Sequence, residues 1–442
     1  MQQVQSKYKK LIARITDDAC RAKNTGKSYN SLLAFKFRDN EYPNPPHYTI
    51  ADANYLLMQR ISNPVAHIGI IGGGQLGRMM TLAARRMGCA VSVIDPTPDS
   101  PAGQLADHQI VAAFDNHEAM QKLVECCDVT TFEIETIDVS TLIELESAGH
   151  EIFPSPRLLK LLQDKLIQKQ LLVESGLPTA DFIDAADLSE QAFADFGYPL
   201  VQKARRGGYD GRGVAILKSA DEFANHLPVS SYIERFVPAE KELSVVIARG
   251  RDGRTASYPV VEMTVLAAQN VLDTLIAPAR ISDELAQKAT EIAERAVEVL
   301  DGVGVFGVEL FLTEDGEISI NEIAPRTHNS GHHTIEACVT DQFEQHLRAV
   351  LGLPLGATDQ LSPAVMFNLL GAPGTQGKTN LNGLRDALAI PGVSVHLYGK
   401  HQTRPYRKMG HATILDEDIE QAIETAESLR QFLTITGDQK HG

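Results

Sequence analysis

The sequence predicts a mixed fold in which an α/β domain precedes α+β lobes and a small C-terminal domain. Three stretches support this prediction. Residues 67–95 read as strand, glycine-rich turn, helix and strand, and residues 198–213 lead from a strand into a loop with four glycines in seven residues. Residues 305–323 form two apolar runs on either side of Asp315-Gly316, a dipeptide typical of tight hairpin turns.

Composition is typical of a soluble globular protein with room for roughly two to four domains. Of the 442 residues, 43% are hydrophobic and 22% are charged, and the net charge of -16 argues against a nucleic-acid partner. The five cysteines form no C-x-x-C pair and no zinc spacing, which favours a reduced, cytoplasmic protein. No apolar run approaches about 18 residues, so neither a membrane span nor a signal peptide is expected.

Residues 1–62 differ from the rest and are predicted to be an accessory or poorly ordered extension. They contain ten basic and five acidic residues, and the run Tyr42-Pro-Asn-Pro-Pro46 is a break that no regular element crosses. Asp17 and Asp18 argue against a transit peptide. The alternative is a true start near Met58, which the intact mass of the native protein would test.

The first domain, residues 63–160, is predicted to be Rossmann-like. A G-x-G-x-x-G motif at residues 72–77 follows a buried strand and opens a helix, and Asp95 ends the next strand about 20 positions on. Alone, this motif suggests an NAD-type oxidoreductase, but a helix N-terminus after a glycine-rich turn binds any phosphate, including a sugar phosphate. Further strands are predicted at 128–133 and 151–154.

Glu133 and Glu135 lie where a predicted strand ends, at the edge where open α/β sheets place ligands. We expect these two acids to contact a ligand. In the alternative interpretation they are solvated loop acids.

The second domain, residues 161–355, has a predicted lid lobe at about 178–240. A single helix is expected over 156–175, closed by Gly176-Leu-Pro178. Further strands are expected at 231–237, 242–249 and 256–265, and a helix at 282–300 with Ser282 as its N-cap.

The glycine-rich loop at residues 207–213 is predicted to close over phosphates. Its glycines let backbone N–H groups approach an anion, and positive charge is concentrated around it at Lys203, Arg205, Arg206 and Arg212. The loop lacks G-K-[ST], so it is no P-loop. A plain glycine-rich hairpin is the alternative.

The hairpin around Asp315-Gly316 predicts a metal site. With a two-residue turn, residues whose numbers sum to 631 face each other, so Glu309 faces Glu322. Facing carboxylates repel, which destabilises a hairpin unless a divalent cation lies between them. Carboxylate oxygens suit Mg²⁺, which also takes nucleotide phosphates as ligands. The alternative is two exposed glutamates that never meet.

The C-terminal domain, residues 356–442, is predicted to contain strands and a helix. Residues 399–411 include four Lys or Arg in an otherwise acidic chain, which indicates a site for a phosphate or carboxylate. A solvated basic loop is the alternative.

Four stretches together carry a family resemblance: GGGQLGR from Gly72, GGYDGRG from Gly207, NEIAPRTHNSGH from Asn321 and RPYRKMGH from Arg404. With them the chain resembles the ATP-grasp enzymes, and within these the 5-(carboxyamino)imidazole ribonucleotide synthetases of purine biosynthesis. The resemblance covers about residues 66–435. It implies an ATP-grasp fold with a pre-ATP-grasp first domain.

The resemblance implies an ATP site between two lobes. Two lysines would contact the phosphates of ATP, and the glycine-rich loop would close over them. One segment would lie beside the adenine, and one glutamate would bind the ribose hydroxyls. The residues carried over are Lys165, Lys203, Gly208, Tyr209, Asp210, Gly211, Arg212, Gly213, Val214, Glu234, Arg235, Phe236, Val237, Glu242, Asn321 and Glu322. Glu309 and Glu322 would hold one or two Mg²⁺ ions.

The resemblance also implies a site for aminoimidazole ribonucleotide. Its substrate-binding residues are Gln75, Leu76, Glu133, Asn329, Lys400 and Arg407. The catalytic residues would be Tyr209, Asp210, Arg212, Arg326, His328 and Lys400.

The implied reaction is that of an ATP-dependent ligase. Bicarbonate attacks the γ-phosphate of ATP to give ADP and carboxyphosphate, which needs positioning and charge neutralisation rather than a protein nucleophile. Carboxyphosphate breaks down to CO₂ and phosphate, and the exocyclic amine of the ribonucleotide captures the CO₂. Arg326 is expected to hold bicarbonate and Asp210 to accept the amine proton. A homodimer and functional coupling to the mutase that uses the product are also expected.

The chain departs from the family pattern at one strand. An E-N-x-H stretch is replaced by Glu262-Met-Thr-Val265, which puts the contacts of that Asn and His in doubt and supports a third hypothesis, a scaffold that has lost activity. ATP-grasp relatives acting on other acceptors are a further alternative, which residues 400–411 would discriminate. The spacing of His328, His332 and His333 lacks the zinc motif H-E-x-x-H, so a zinc site is not favoured.

Overall fold

The N-terminal part of the computed structural model is a four-stranded parallel sheet. The structure describes residues 65–185, 189–208, 213–266 and 271–440, and the predicted extension 1–62 lies outside them. The strands are β1 (His67–Ile71), β2 (Ala90–Asp95), β3 (His108–Val111) and β4 (Val129–Phe132), in the order β3-β2-β1-β4. Helices α1 (Gln75–Arg86), α2 (His117–Cys126) and α3 (Ser140–Ser147) lie in the same segment.

This sheet confirms the predicted βαβ unit. All its strand pairs are parallel, and β1, β2 and β4 are almost wholly buried, as expected of apolar strands covered on both faces. The strand expected at 151–154 is wrong, because only a single bridge joins Ile152 to Thr130.

The helix predicted over 156–175 is two helices, α4 (Pro156–Leu162) and α5 (Lys165–Glu174). The break occurs at Asp164, whose carboxylate accepts hydrogen bonds from the backbone N–H groups of Leu166 (3.2 Å) and Ile167 (3.5 Å). An aspartate in this position is a strong N-cap, so it starts a new helix. The sequence-based prediction overlooked this cap.

The lid lobe contains an antiparallel sheet of β5 (Phe182–Asp184), β6 (Leu200–Ala204), β7 (Val214–Leu217) and β8 (Ser231–Arg235), in the order β5-β8-β6-β7. Helix α6 (Glu190–Phe196) and a 3₁₀ helix (Ala220–Asn225) accompany it. Phe193, Leu200, Leu217 and Ile233 form its core. The glycine loop joins β6 to β7, and residues 209–212 of that loop lie outside the described residues.

A nine-stranded sheet joins the second domain to the C-terminal segment. From the second domain it takes β9 (Ala239–Arg249), β10 (Thr255–Ser257), β11 (Val261–Leu266), β12 (Val271–Ala277), β13 (Gly304–Thr313) and β14 (Ile318–Ala324), with α7 (Asp283–Leu300) packed on it. Ser282 caps α7, as predicted. The strand expected at 256–265 is interrupted between β10 and β11.

Three strands from the C-terminal segment extend this sheet, and three others form a separate small sheet. After α8 (Thr334–Ala337), which follows a 3₁₀ helix (Asn329–Gly331), and α9 (Gln342–Val350), strand β15 (Ala364–Leu370) pairs with β12. The sheet then continues through β19 (Lys408–Leu415) to β17 (Val393–Leu397). The remaining elements are β16 (Thr375–Asn382), α10 (Leu384–Ala387), β18 (Gln402–Thr403), α11 (Ile419–Arg430) and β20 (Thr434–Lys440).

The hairpin of β13 and β14 pairs Glu309 with Glu322, as predicted, but its turn differs from the prediction. The loop has three residues, 314–316, because Thr313 and Glu317 are hydrogen-bonded across it (3.0 Å). This shifts the register by one residue near the turn. A β-bulge at Asn321 shifts it back, since Leu310 pairs with Ile320 while Glu309 pairs with Glu322. The two deviations cancel, so the two acids still meet.

No helix among the described residues is long and apolar enough to span a membrane.

Candidate active site

The two facing glutamates differ in charge state because their neighbours differ. Burial, followed by the nearby carboxylates of Glu322 and Glu242, raises the pKa of Glu309 to about 7. Burial also opposes ionisation of Glu322, but its ion pair with Lys165 outweighs burial and lowers the pKa of Glu322. The bulge residue Asn321 donates a hydrogen bond to Glu309 Oε2 (3.3 Å). Without a further cation, the pair therefore gains its second negative charge only as the pH rises through about 7.

Two lysines from different elements converge on Glu234, which is buried. Lys203 Nζ on β6 lies 2.6 Å from Glu234 Oε1 and 2.7 Å from Asn321 Oδ1. Lys169 Nζ on α5 lies 2.8 Å from Glu234 Oε2 and donates to Thr179 Oγ1 at 2.6 Å. Burial opposes the charge of Glu234, but the two lysines outweigh it and lower its pKa. Lys203 is thus held beside the acid pair.

Lys169 was missed as a site residue in the sequence. It is almost fully buried, and burial lowers its pKa to about 8 despite its ion pair. Its position three residues from both Leu166 and Leu172 places it on the apolar face of α5, where a charged residue is unusual. That spacing is the signal that could have identified it.

The remaining residues expected near the nucleotide lie along β7, β8 and β9. Glu242 is partly buried, which raises its pKa. Arg235 and Phe236 are exposed, with the Arg235 guanidinium stacked 4.5 Å above the Phe196 ring. Val214 pairs with Lys203, and Val237 follows β8. The residues Gly208 and Gly213 flank the undescribed part of the loop, and Tyr209, Asp210, Gly211 and Arg212 lie outside the described residues.

The expected substrate residues from the first and last domains meet. Lys400 Nζ donates to Gln75 Oε1 (2.9 Å), across 325 positions of sequence, and to the carbonyl of Lys408 (2.7 Å). Arg407 donates to the Gln402 carbonyl (2.7 Å).

Two further residues connect this substrate side to the acid pair. Arg326 is ion-paired with Glu135 at 2.9 Å, and His328 Nε2 lies 3.4 Å from Glu309. Asn329 is buried against Asn368. The charge of Arg326 acts on Glu322 and on Glu133, and the charge of Lys400 acts on Glu133 too. Arg326 and His328 therefore lie between the acid pair and the substrate residues Gln75 and Lys400.

Glu133 occupies the helix N-terminus that the glycine motif makes. Its carboxylate accepts hydrogen bonds from the N–H groups of Gly74 (2.5 Å), Leu76 (3.1 Å) and Gly77 (3.1 Å), and it is 8% exposed, so it is no solvated loop acid. Asp95 likewise accepts from the N–H of Gly73 (2.8 Å). A dinucleotide would need these same groups for its pyrophosphate and ribose. The NAD-type alternative therefore has no site here.

The altered stretch at 262–265 is built into the sheet. Glu262 is ion-paired with Lys241 (3.0 Å) and Arg280 (2.9 Å), and Met263 is buried opposite Glu242. The replacement of the expected Asn by Met263 thus leaves the strand that bears Glu242 intact.

The histidines of the 328–333 segment do not converge on one point among the described residues. His328 faces Glu309, His333 Nδ1 bonds the Ser330 carbonyl (3.0 Å), and the His332 ring packs against that of His411 at 4.8 Å. This arrangement gives no support to a zinc site there.

Family models match three segments of the chain. They describe a ribonucleotide synthetase pre-ATP-grasp domain at residues 65–163, an ATP-grasp domain at 170–343 and a phosphoribosylaminoimidazole carboxylase C-terminal domain at 364–425.

Two curated relatives illustrate the similarity in sequence. The chloroplastic phosphoribosylaminoimidazole carboxylase of Vigna aconitifolia is 42% identical over 361 residues, which cover 80% of this chain and 64% of that protein. The N5-carboxyaminoimidazole ribonucleotide synthase of Synechococcus elongatus is 43% identical over 362 residues, which cover 80% of this chain and 90% of that protein. The chain thus spans less than two thirds of the first relative and most of the second.

Solved structures agree in fold. N5-carboxyaminoimidazole ribonucleotide synthetase from Thermotoga maritima is 52% identical, with a TM-score of 0.79, covering 84% of this chain and all of that one. The Aspergillus clavatus enzyme, solved in complex with ADP and 5-aminoimidazole ribonucleotide, is 35% identical with a TM-score of 0.76, covering 83% and 98%.

Proposed function

Because the chain belongs to the family of N5-carboxyaminoimidazole ribonucleotide synthetases, we propose that it carboxylates the exocyclic amine of 5-aminoimidazole ribonucleotide at the expense of ATP, in purine biosynthesis. Bicarbonate is the proposed source of the carboxyl group. The proposal is carried by two meetings, that of Lys400 with Gln75 and that of Glu309 with Glu322. Arg326 connects them electrostatically, because its charge acts on Glu322 and, together with that of Lys400, on Glu133. It joins a site for an anionic substrate to a site for a nucleotide's phosphates. The complex of the Aspergillus clavatus relative supports the choice of both ligands.

The matched segments also support the division into domains at residues 63–160, 161–355 and 356–442. We also propose that the protein is a homodimer, which light scattering would test, and that it is cytoplasmic, which cell fractionation would test. Functional coupling to the mutase that uses the product is a further proposal, for coupled assays to test.

The donor set fits Mg²⁺. Glu309 and Glu322 present facing carboxylates. Burial and neighbouring carboxylates raise the pKa of Glu309, and a cation bound between the two glutamates would lower that pKa and favour the ionised form. Both glutamates would hold the ion, with Asn321 orienting Glu309. When bound, the ion neutralises charge on the transferred phosphate.

The protein's part in the first half-reaction is to position and neutralise. Lys165 and Lys203 place two ammonium groups beside the acid pair. When ATP binds, each can exchange its carboxylate partner for a phosphate oxygen. Arg326 presents a guanidinium whose planar fork suits bicarbonate. Because the phosphoryl group passes directly to the bicarbonate oxygen, no protein nucleophile is needed.

The second half-reaction needs a dry site and a proton acceptor. Carboxyphosphate releases phosphate and CO₂, and the amine of the ribonucleotide attacks the CO₂ carbon and loses a proton. Lys400 and Arg407 hold the substrate phosphate in this proposal, and Asp210 on the glycine loop accepts the amine proton.

The Asp210→Asn variant is expected to bind ATP normally and to lose carboxylation by about a hundredfold or more, as expected when a positioned base is removed. Isothermal titration with ATP and assay of the carboxylated product measure the two effects separately. Asp221→Asn, an exposed acid of the same lobe, is the matched control. Unchanged turnover in Asp210→Asn would remove Asp210 from this role.

Phosphate release from ATP tests the proposed function itself. We expect release to require both aminoimidazole ribonucleotide and bicarbonate, with MgATP but not NADH raising the thermal unfolding midpoint. Release that ignores the ribonucleotide would indicate another acceptor, and no release under any condition would favour the scaffold hypothesis.

A further inference from the structure

Three polar pairs dock the C-terminal strands onto the segment that follows Arg326. Asn329 and Asn368 exchange two hydrogen bonds (3.2 and 2.9 Å), the rings of His332 and His411 lie 4.8 Å apart, and Glu336 contacts His396 at 2.5 Å. We call these three pairs the polar ladder.

The polar ladder has a regular basis. Its members at 329, 332 and 336 follow the spacing of one helical face. Their partners sit side by side on neighbouring strands, because Asn368 on β15 pairs with His411 on β19, which pairs with His396 on β17. Buried polar pairs of this kind tolerate few alternative registers, since a slip leaves unsatisfied groups.

His411 is the centre of the polar ladder. It is fully buried, its ring stacks on that of His396 at 4.6 Å, and its Nδ1 lies 2.9 Å from the Tyr398 hydroxyl. Burial, followed by the neighbouring His396, holds the pKa of His411 well below its usual value. The ring is therefore a neutral hydrogen-bonding partner for the tyrosine.

Tyr398 connects His411 to Lys400. The ammonium of Lys400 lies 5.5 Å from the centre of the Tyr398 ring, within the range of a cation–π contact. The backbone N–H of Tyr398 donates to the Met409 carbonyl (2.9 Å), and Lys400 Nζ donates to the next carbonyl, that of Lys408 (2.7 Å). With its backbone fixed at one end and its hydroxyl at the other, the ring has one orientation beneath the lysine.

We infer that Tyr398 and His411 are positioning residues for the ribonucleotide substrate, acting by holding Lys400 where it meets the substrate's phosphate. This inference rests on the proposed function, because it takes the substrate role of Lys400 from it. Tyr398 is 1% exposed and His411 0%, so neither side chain is open to a ligand. We expect their effect to be confined to the ribonucleotide side of the site, because the residues proposed for ATP lie on other elements, namely α5, β6 to β9, β13 and β14.

The Tyr398→Phe variant tests this inference, since it removes one hydroxyl and keeps the ring. We expect the KM for aminoimidazole ribonucleotide to rise about fivefold, as for loss of one buried hydrogen bond, with kcat and the KM for ATP unchanged within twofold. Tyr258→Phe is the matched control: Tyr258 is equally buried, and its hydroxyl donates to the Thr340 carbonyl (2.8 Å) away from Lys400. It is expected to lose similar stability and to keep both KM values.

Two variants of His411 test the same inference independently if Tyr398→Phe does not fold. In His411→Asn the amide reaches the position of Nδ1 and can hold the tyrosine hydroxyl, whereas in His411→Gln it reaches the position of Nε2. We expect the KM for the ribonucleotide to stay near that of the unaltered protein in the first and to rise about fivefold in the second.

The inference would be overturned if the two His411 variants had equal effects. It would also be overturned if Tyr398→Phe raised the KM for ATP together with the KM for the ribonucleotide, since both residues would then have a purely structural role. Failure of the proposed function is distinguishable, because the unaltered protein would then show no ribonucleotide-dependent phosphate release.

Discussion

The Glu309→Gln variant is expected to lose carboxylation by about two to three orders of magnitude and, without metal, to become more stable than the unaltered protein. Activity falls because one of the two facing carboxylates proposed to hold Mg²⁺ is gone. Stability rises because glutamine keeps the size of the side chain and removes a buried charge that faces Glu322. Opposite effects on activity and stability are typical of a functional site.

The stability gain depends on pH in a direction set by the pKa of Glu309. That pKa is about 7 in the folded protein, against an ordinary 4.5. Below pH 4.5 the group is protonated in both states and glutamine changes little. Between pH 4.5 and pH 7 the unfolded protein ionises this group while the folded protein keeps it protonated, so the advantage of glutamine grows across that range and is complete above pH 7. We expect a gain of about 1–2 kcal/mol at pH 8, reduced from the full shift because the side chain is 29% exposed.

Urea unfolding at pH 8 and pH 4.5, without metal, measures this gain, and a Mg²⁺ titration of the unfolding midpoint measures loss of the site. Glu314→Gln, an exposed acid in the turn of the same hairpin, is the control and should change neither. A Glu309→Gln variant that Mg²⁺ and ATP still stabilise normally would show that the acid pair is not the metal site.

The Lys169→Met variant is expected to weaken ATP binding by about tenfold and to destabilise the fold by about 3 kcal/mol, the usual result of removing one partner of a buried ion pair. Glu234 would keep only Lys203, which would then be held more tightly on the carboxylate and be less available to a phosphate. Binding of the ribonucleotide should change little, since Lys400 and Gln75 are untouched.

Calorimetric titration with ATP and urea unfolding check the two effects of Lys169→Met. Lys160→Met is the control, because Lys160 is an exposed lysine on the preceding helix α4. Unaltered ATP affinity in a folded Lys169→Met protein would contradict the role of this lysine in holding Glu234.

Local patterns in the sequence were sufficient for most elements. Apolar runs predicted β1, β2, β4, β8 and β9, and the cap at Ser282 predicted the start of α7, because each depends on residues close in sequence. The failures have local causes as well. The Asp164 cap was overlooked, and the loop at 314–316 has one residue more than its Asp-Gly signal suggests.

The sequence by itself determined the glycine-rich loop after Lys203 and the family to which its motifs point. It also predicted that Glu309 faces Glu322, but from a two-residue turn that the hairpin does not have. Only the tertiary structure decided that Glu133 fills the helix N-terminus, that Lys169 reaches Glu234, and that Lys400 meets Gln75. The bulge at Asn321, which keeps the acids opposite each other, is likewise seen only in the pairing of β13 with β14. Hydrophobic periodicity reports which face of an element is buried, but not which distant element covers it. A charged group buried by a distant segment must find its partner there, and that choice is made only when the chain folds.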